Sequence, residues 1–349
     1  MANMTLNYHL MHPGGDSAPG DPNRESNRSC QPAVGNTEMK NSMLDDFAQP
    51  GPEFRGAPFW AWNGTLDPAE LRRQIRLMKA AGLGGFFMHS RVGLNTAYLS
   101  DAWFDAVRAC VDEAGRQGMH AWLYDEDRWP SGAAGGLVTR HPAFRRRRLE
   151  IRALKPGAPL QRTSATVAVF VAAIDGAVAR NVRLVPAGKP AKPAAGEVVL
   201  RCDAAMDSPR DWYNGYTYLD TLNPAAVRKF IDVTHEAYRK RFGKEFGRRI
   251  PGIFSDEPEH QRYPREVKGD DPYFYIAWTD RLPQVFRRRY GYDLIPHLLE
   301  LVFDIDGQPA SQARYHFHDC TTHLLSHAYA RQIGEWCGKH GLMYTGHVM

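Results

Sequence analysis

The 349-residue chain lacks any run of about 18 apolar residues, which excludes a membrane-spanning helix and a membrane partner. The first fifty residues lack a basic start followed by an apolar stretch, so no secretory leader is expected and the cytoplasm is the expected location. Cysteine is sparse. Cys30, Cys110, Cys202, Cys320 and Cys337 are odd in number, scattered, and contain no C-x-x-C, which argues against a disulfide framework or a thiolate zinc site and for reduced thiols. No nucleic-acid-binding motif is present. The one dense basic run, Arg145 to Arg148, in a chain of net charge +5 reads as a solvated face rather than a nucleic-acid patch. The Gly-rich stretch from Trp129 to Gly136 lacks the Lys-Ser/Thr ending of a P-loop and the G-x-G-x-x-G spacing, so it reads as a shaped loop. His323 and His327 stand one helical turn apart without the Glu of H-E-x-x-H, so no metal site is expected there.

What is present is an ordinary globular balance, 43% hydrophobic and 24% charged, which excludes wholesale disorder and fibrous architectures. Residues 1–55 are rich in Gly, Pro, Ser, Asn and Asp without periodicity and read as a disordered leader. A strand–helix rhythm then begins. Pro58 to Asn63 predicts a buried strand, and Asp67-Pro68 with Glu70 predicts a capped helix start. Gly84 to His89 predicts a second strand, Ser100 the start of a second helix, and His120 to Asp125 a third strand. This alternation over 56–148 argues for parallel α/β organisation. From 149 to 221 short alternating segments separated by Pro, Gly and Lys predict a small β-rich insertion. Over 222–349 the α/β rhythm resumes, with a helix capped at Asn223-Pro224, a fourth strand at Gly252 to Pro258, a helical stretch from about Ala313 to His340, and a fifth strand from Leu342. The expected fold is a (β/α)8 barrel that reaches only about five strands, since such a barrel takes about 250 residues in its repeat. Met349 reads as a truncation point. Two open barrel edges would favour self-association.

Polar residues gather where the predicted strands end. Strand one ends at Trp62-Asn63, strand two at His89, near Arg91, strand three at Asp125-Glu126-Asp127, strand four at Asp256-Glu257, and strand five at His347. A parallel barrel places these ends on one rim, where active sites of the fold lie. Alternation puts Ile253, Ser255 and Glu257 on one face and Phe254 and Asp256 on the other. Pro258 is expected to hold Glu257 extended. Glu257 is therefore the candidate working acid and Asp256 its supporting group. Trp60, Trp62, Trp129 and Trp278 are candidate stacking surfaces, which beside carboxylates suit a sugar. Asp125-Glu126-Asp127 could also take calcium through oxygen ligands; no other cofactor is expected.

Pro58 to Asn63, Gly84 to His89 and Tyr124 to Gly132 resemble bacterial glycoside-hydrolase-like proteins related to the family 106 α-L-rhamnosidases. Phe254 to Pro258 and Tyr344 to His347 fit the same group. The resemblance covers about residues 57–150 and 220–349 and implies a (β/α)8 barrel that cleaves glycosidic bonds. It implies that Glu257, at the end of strand four, is the acid and that the second carboxylate comes from a later strand. His89, Asp125, Glu126, Asp127 and His347 would then hold sugar hydroxyls. Two other classes stand beside this one: a carbohydrate-binding or inactive barrel, and a metal-dependent barrel hydrolase that uses His89, His347 and the strand-end acids as ligands.

Overall fold

The computed structural model describes residues 46–261, 263–268 and 273–347; the leader expected over 1–55 lies outside the described residues as far as residue 45. The first half of the α/β rhythm is β1 (Phe59–Trp62), α1 (Pro68–Ala80), β2 (Gly85–Ser90), α2 (Asp101–Gln117) and β3 (His120–Tyr124). The capping signals act as their chemistry requires. The Asp67 carboxylate accepts from the Ala69 and Glu70 amides, and Ser100 Oγ accepts from Trp103, each satisfying donors that a helix start leaves orphaned. Glu70 does not complete a capping box, because Arg73 and Gln74 on the next turn hold its carboxylate.

The chain then leaves this layer for β4 (Arg147–Ala153), β5 (Thr166–Asp175), β6 (Val178–Leu184) and β7 (Val198–Met206). It returns through α3 (Pro224–Val233), capped by Asn223, and α4 (His235–Phe242) to β8 (Gly252–Ser255). A second excursion supplies β9 (Arg265–Val267), β10 (Tyr273–Trp278), α5 (Leu282–Tyr290) and β11 (Asp304–Ile305). The last units are α6 (Gln312–Leu325), a π-turn over Ser326–Ala330, α7 (Arg331–Lys339) and β12 (Met343–Gly346).

Two sheets result, so the fold is mixed α/β. The first has order β1-β2-β3-β8-β12 and every pairing is parallel. The second has order β11-β6-β5-β7-β4-β10-β9 and is antiparallel except where β11 meets β6. The expected insertion over 149–221 therefore supplies four of its seven strands, and β9, β10 and β11 arrive from sequence assigned to the barrel continuation. The sequence signal is weak there because β9 and β11 have only three and two residues.

Each sheet has its own core. Behind the parallel sheet, Trp60, Trp62, Phe86, Leu123 and Ile253 pack on Ile75, Trp103, Phe230, Tyr238 and Ile333 of the helices. The other face of the same sheet is more open. It carries Phe59 and Met343, which are 43% and 54% exposed. Phe59 meets Phe254 edge-on and also packs on Phe87. Among the described residues, the outer edges of β1 and β12 are unpaired. The Arg145–Arg148 run enters β4 and is largely ion-paired. Arg146 contacts Asp207 and Glu259, Arg147 contacts Asp280, and Arg148 contacts Glu150 and Asp207. The four described cysteines are buried and free, and among the described residues no helix is long and apolar enough to cross a membrane.

Candidate active site at the strand ends

Because the first sheet is parallel, its strand C-termini collect on one side, and β3 and β8 are neighbours. This juxtaposes Asp125-Glu126-Asp127 with Asp256-Glu257. The Asp256 carboxylate lies among three groups from three other strands. Tyr124 Oη donates to its Oδ2 at 2.9 Å, His89 Nε2 lies 3.5 Å from the same oxygen, and His347 Nδ1 lies 3.2 Å from Oδ1. Burial alone would raise this carboxyl, but the His89 and Tyr124 contacts and the charges of His89 and His347 hold it below its ordinary value.

Glu257 moves the other way. Burial and, after it, the neighbouring Asp256 charge raise its carboxyl above the ordinary value, and His347 opposes them. Two adjacent carboxyls are thus driven in opposite directions by their surroundings.

The backbone here departs from the extended form expected before Pro258. β8 ends at Ser255, and Glu257 has φ 48°, in the left-handed region that a non-glycine residue enters at a cost. The pre-proline clash disfavours the right-handed helical region; hydrogen bonds on both sides of Glu257 hold the left-handed turn instead. The alternation expected through residue 257 therefore stops at 256. Ile253 joins the helix-facing core, Phe254 joins Phe59 and His347 on the open face, and the turn brings Glu257 to the Asp256 side. Asp256, Glu257 and His347 each offer one ligand atom, all within 4.8 Å of one another. Two carboxylates and an imidazole could hold a divalent cation.

The acids after β3 are bound differently. Asp125 is fully buried. It accepts from Ser131 Oγ at 2.6 Å and from Ser255 Oγ, and burial pushes its carboxyl up to about 7. His235 Nε2 lies 3.7 Å away. Among the described residues neither ring nitrogen of His235 has a hydrogen-bond partner, and burial drops its pKa to about 3, so the ring is neutral at pH 7. Glu126 accepts four backbone N–H groups, from Asp127, Gly132, Ala134 and Gly135. The chain wraps this carboxylate through left-handed positions such as Gly135 (φ 60°), which explains the glycine content of the loop. Asp127 accepts from Ser90 and Asn214 and contacts Arg128. These three acids do not form a convergent ligand set among the described residues; the set that converges is Asp256, Glu257 and His347.

The structure brings His89, Tyr124, Asp256, Glu257 and His347 together. Trp129 stands nearby on the loop, half-buried, with the Arg91 guanidinium 4.3 Å from its ring centre and Trp212 edge-on at 4.9 Å. Asn63 is exposed at the end of β1. Trp60 and Trp62 face the helices, 8% and 2% exposed, and Trp278 is buried in the core of the second sheet, so these three lie in packed cores. Sequence reasoning missed Ser131, Tyr218 and Ser255 as partners of the site. Ser131 had a signal in its place within the Gly-rich loop. Tyr218 had none, because the hydrogen bonds of its hydroxyl reach residues 87 and 41 positions away. Two surface concavities of about 580 and 600 Å³ lie on the helical layer around Arg239 and His340, and no strand-end acid lines either.

No protein-family model matches the chain, and no curated protein matches it. A solved structure does: the rhamnosidase from Novosphingobium sp. PP1Y, with a TM-score of 0.56 at 13% identity, over 87% of this chain and 47% of that one. The chain thus spans about half the length of the structure it resembles. At that identity the likeness is one of fold.

Proposed function

We propose that this chain carries the acid half of a glycoside hydrolase active site, of the rhamnosidase-like kind, on a (β/α)8-type barrel. The observation that carries the reading is the convergence of Asp256, Glu257 and His347 at the end of a central parallel strand, where burial and neighbouring charges displace the two adjacent carboxyls in opposite directions. The fold-level likeness to a rhamnosidase supports it. In this reading Glu257 acts in its protonated form, which partial desolvation and the neighbouring Asp256 charge favour. It gives that proton to the leaving glycosidic oxygen. Asp256, held ionised by His89, Tyr124 and His347, maintains that bias and accepts from sugar hydroxyls. Trp129 offers the stacking surface. A second carboxylate activates water or attacks the anomeric carbon.

The test is turnover of phenyl α-L-rhamnopyranoside and a panel of other aryl glycosides whose phenols are poor leaving groups and need protonation to depart, by the protein and its Glu257→Gln variant. Turnover lost in the variant, with the fold intact, supports the assignment. Full turnover in the variant refutes it.

A further inference from the structure

The backbone of Glu257 is strained, and a left-handed non-glycine residue persists only where its surroundings over-determine it. Those surroundings are specific. On the N-terminal side, Asp256 is paired to Ser131 through both of its backbone polar groups. The Asp256 N–H donates to Ser131 Oγ at 2.8 Å, and the Ser131 N–H donates to the Asp256 carbonyl at 2.7 Å. Ser131 is in turn fixed by donation of its hydroxyl to Asp125. On the C-terminal side, the Glu259 N–H donates to Tyr218 Oη at 3.3 Å, and Thr221 Oγ1 donates to the Glu259 carbonyl at 2.8 Å. One group joins the two sides: Tyr218 Oη also donates to the Ser131 carbonyl at 2.8 Å. Ser131 and Tyr218 are both completely buried.

The geometry points to Ser131 and Tyr218 as a two-point clamp that positions the Glu257 carboxyl by gripping the backbone on either side of it. Neither side chain contacts the Glu257 carboxyl; both are positioning residues. As positioning residues for catalysis they rest on the glycosidase reading; as a clamp on the turn they do not. The hydroxyl of Tyr218 accepts from one side of the strained turn and donates to the anchor of the other, so its loss weakens the hold on both at once. Without it, Glu257 can relax towards the extended conformation that its following proline favours, and its carboxyl leaves its place beside Asp256 and His347. A misplacement of about 1 Å in a reacting group costs on the order of a hundredfold in rate.

The decisive variant is Tyr218→Phe, which keeps the ring in its packed place and removes only the oxygen; Ser131→Ala is the second. Two readouts are needed. Residue-resolved amide exchange is expected to rise about tenfold or more at Asp256 and Glu259, while amides within β2 and α2 keep wild-type protection. With the aryl glycosides, kcat is expected to fall at least about tenfold with KM within about twofold, the signature of lost positioning rather than lost binding. Unchanged exchange at both amides in both variants overturns the clamp. So does acceleration spread evenly over the molecule, which is global destabilisation. If the wild type turns over none of the glycosides, the glycosidase reading fails, and the exchange pattern alone decides the clamp.

Discussion

Two acidic clusters end neighbouring strands of the same sheet, and they differ in what their oxygens already hold. After β3, Glu126 is ringed by four backbone amides and Asp125 by two serine hydroxyls. After β8, Asp256 is held by side chains from other strands, and Glu257 stands beside an anion that raises it. The first cluster builds the loop and the second has capacity left for chemistry. A buried carboxylate whose hydrogen-bonding capacity is filled by its own chain is scaffold, whatever its sequence neighbourhood suggests.

The sharpest way to break this contrast is to exchange the roles by mutation. Glu257→Gln is expected to reduce kcat by about 10²- to 10⁴-fold, the range of a lost general acid. Its denaturation midpoint should stay near wild type, because the side chain is only part-buried. Steady-state kinetics with a urea melt checks both halves. Glu126→Gln should do the reverse: its amide NH2 would face N–H donors, and each orphaned donor costs about 1–3 kcal/mol. The expected loss of stability is about 2–4 kcal/mol, read by chemical denaturation, and activity should fall only with the folded fraction.

A subtler change sharpens the comparison through pH. The Asp125 carboxyl is raised on folding to about 7, so its contribution is full below the unfolded value near 4 and is lost as pH rises to about 7. His235, lowered to about 3, acts oppositely: its contribution is full above about 6.5 and is lost as pH falls towards 3. Asp125→Asn is expected to remove the first slope and keep the second. Stability of the variant should therefore rise relative to that of the wild type between pH 4 and 7, by about 2–4 kcal/mol. Urea melts across that range measure it. The smallest effect is expected at Trp278. Its place in the second core predicts that Trp278→Phe costs about 1–2 kcal/mol of stability and leaves KM unchanged.

The strand–helix rhythm was legible because its signals are local. Asp67, Ser100 and Asn223 cap helices where their side-chain chemistry says they should, and apolar runs became the five parallel strands. The second sheet was only half legible, because its β9, β10 and β11 join β4 and β6 across distant parts of the chain. For the candidate site, strand-end logic nominated Asp256, Glu257, His89 and His347, and the structure places them next to one another. It also promoted Trp60 and Trp62, because proximity to a rim in sequence does not say which face of a strand a ring occupies. Phe59 takes the open face, and the tryptophans beside it take the helical one. The turn at Glu257 was hidden for a further reason. It depends on Ser131 and Tyr218, whose hydroxyls reach it from residues 125 and 41 positions away, and no local pattern encodes that.

The account turns on the order in which two adjacent carboxyls release their protons. A carbon-detected NMR titration of the Asp256 and Glu257 carboxyl resonances reads that order directly. The structure predicts that Asp256 titrates below the ordinary carboxylate range and Glu257 above it. Glu257 ionising first, or the two titrating together at ordinary values, would contradict its assignment as the acid.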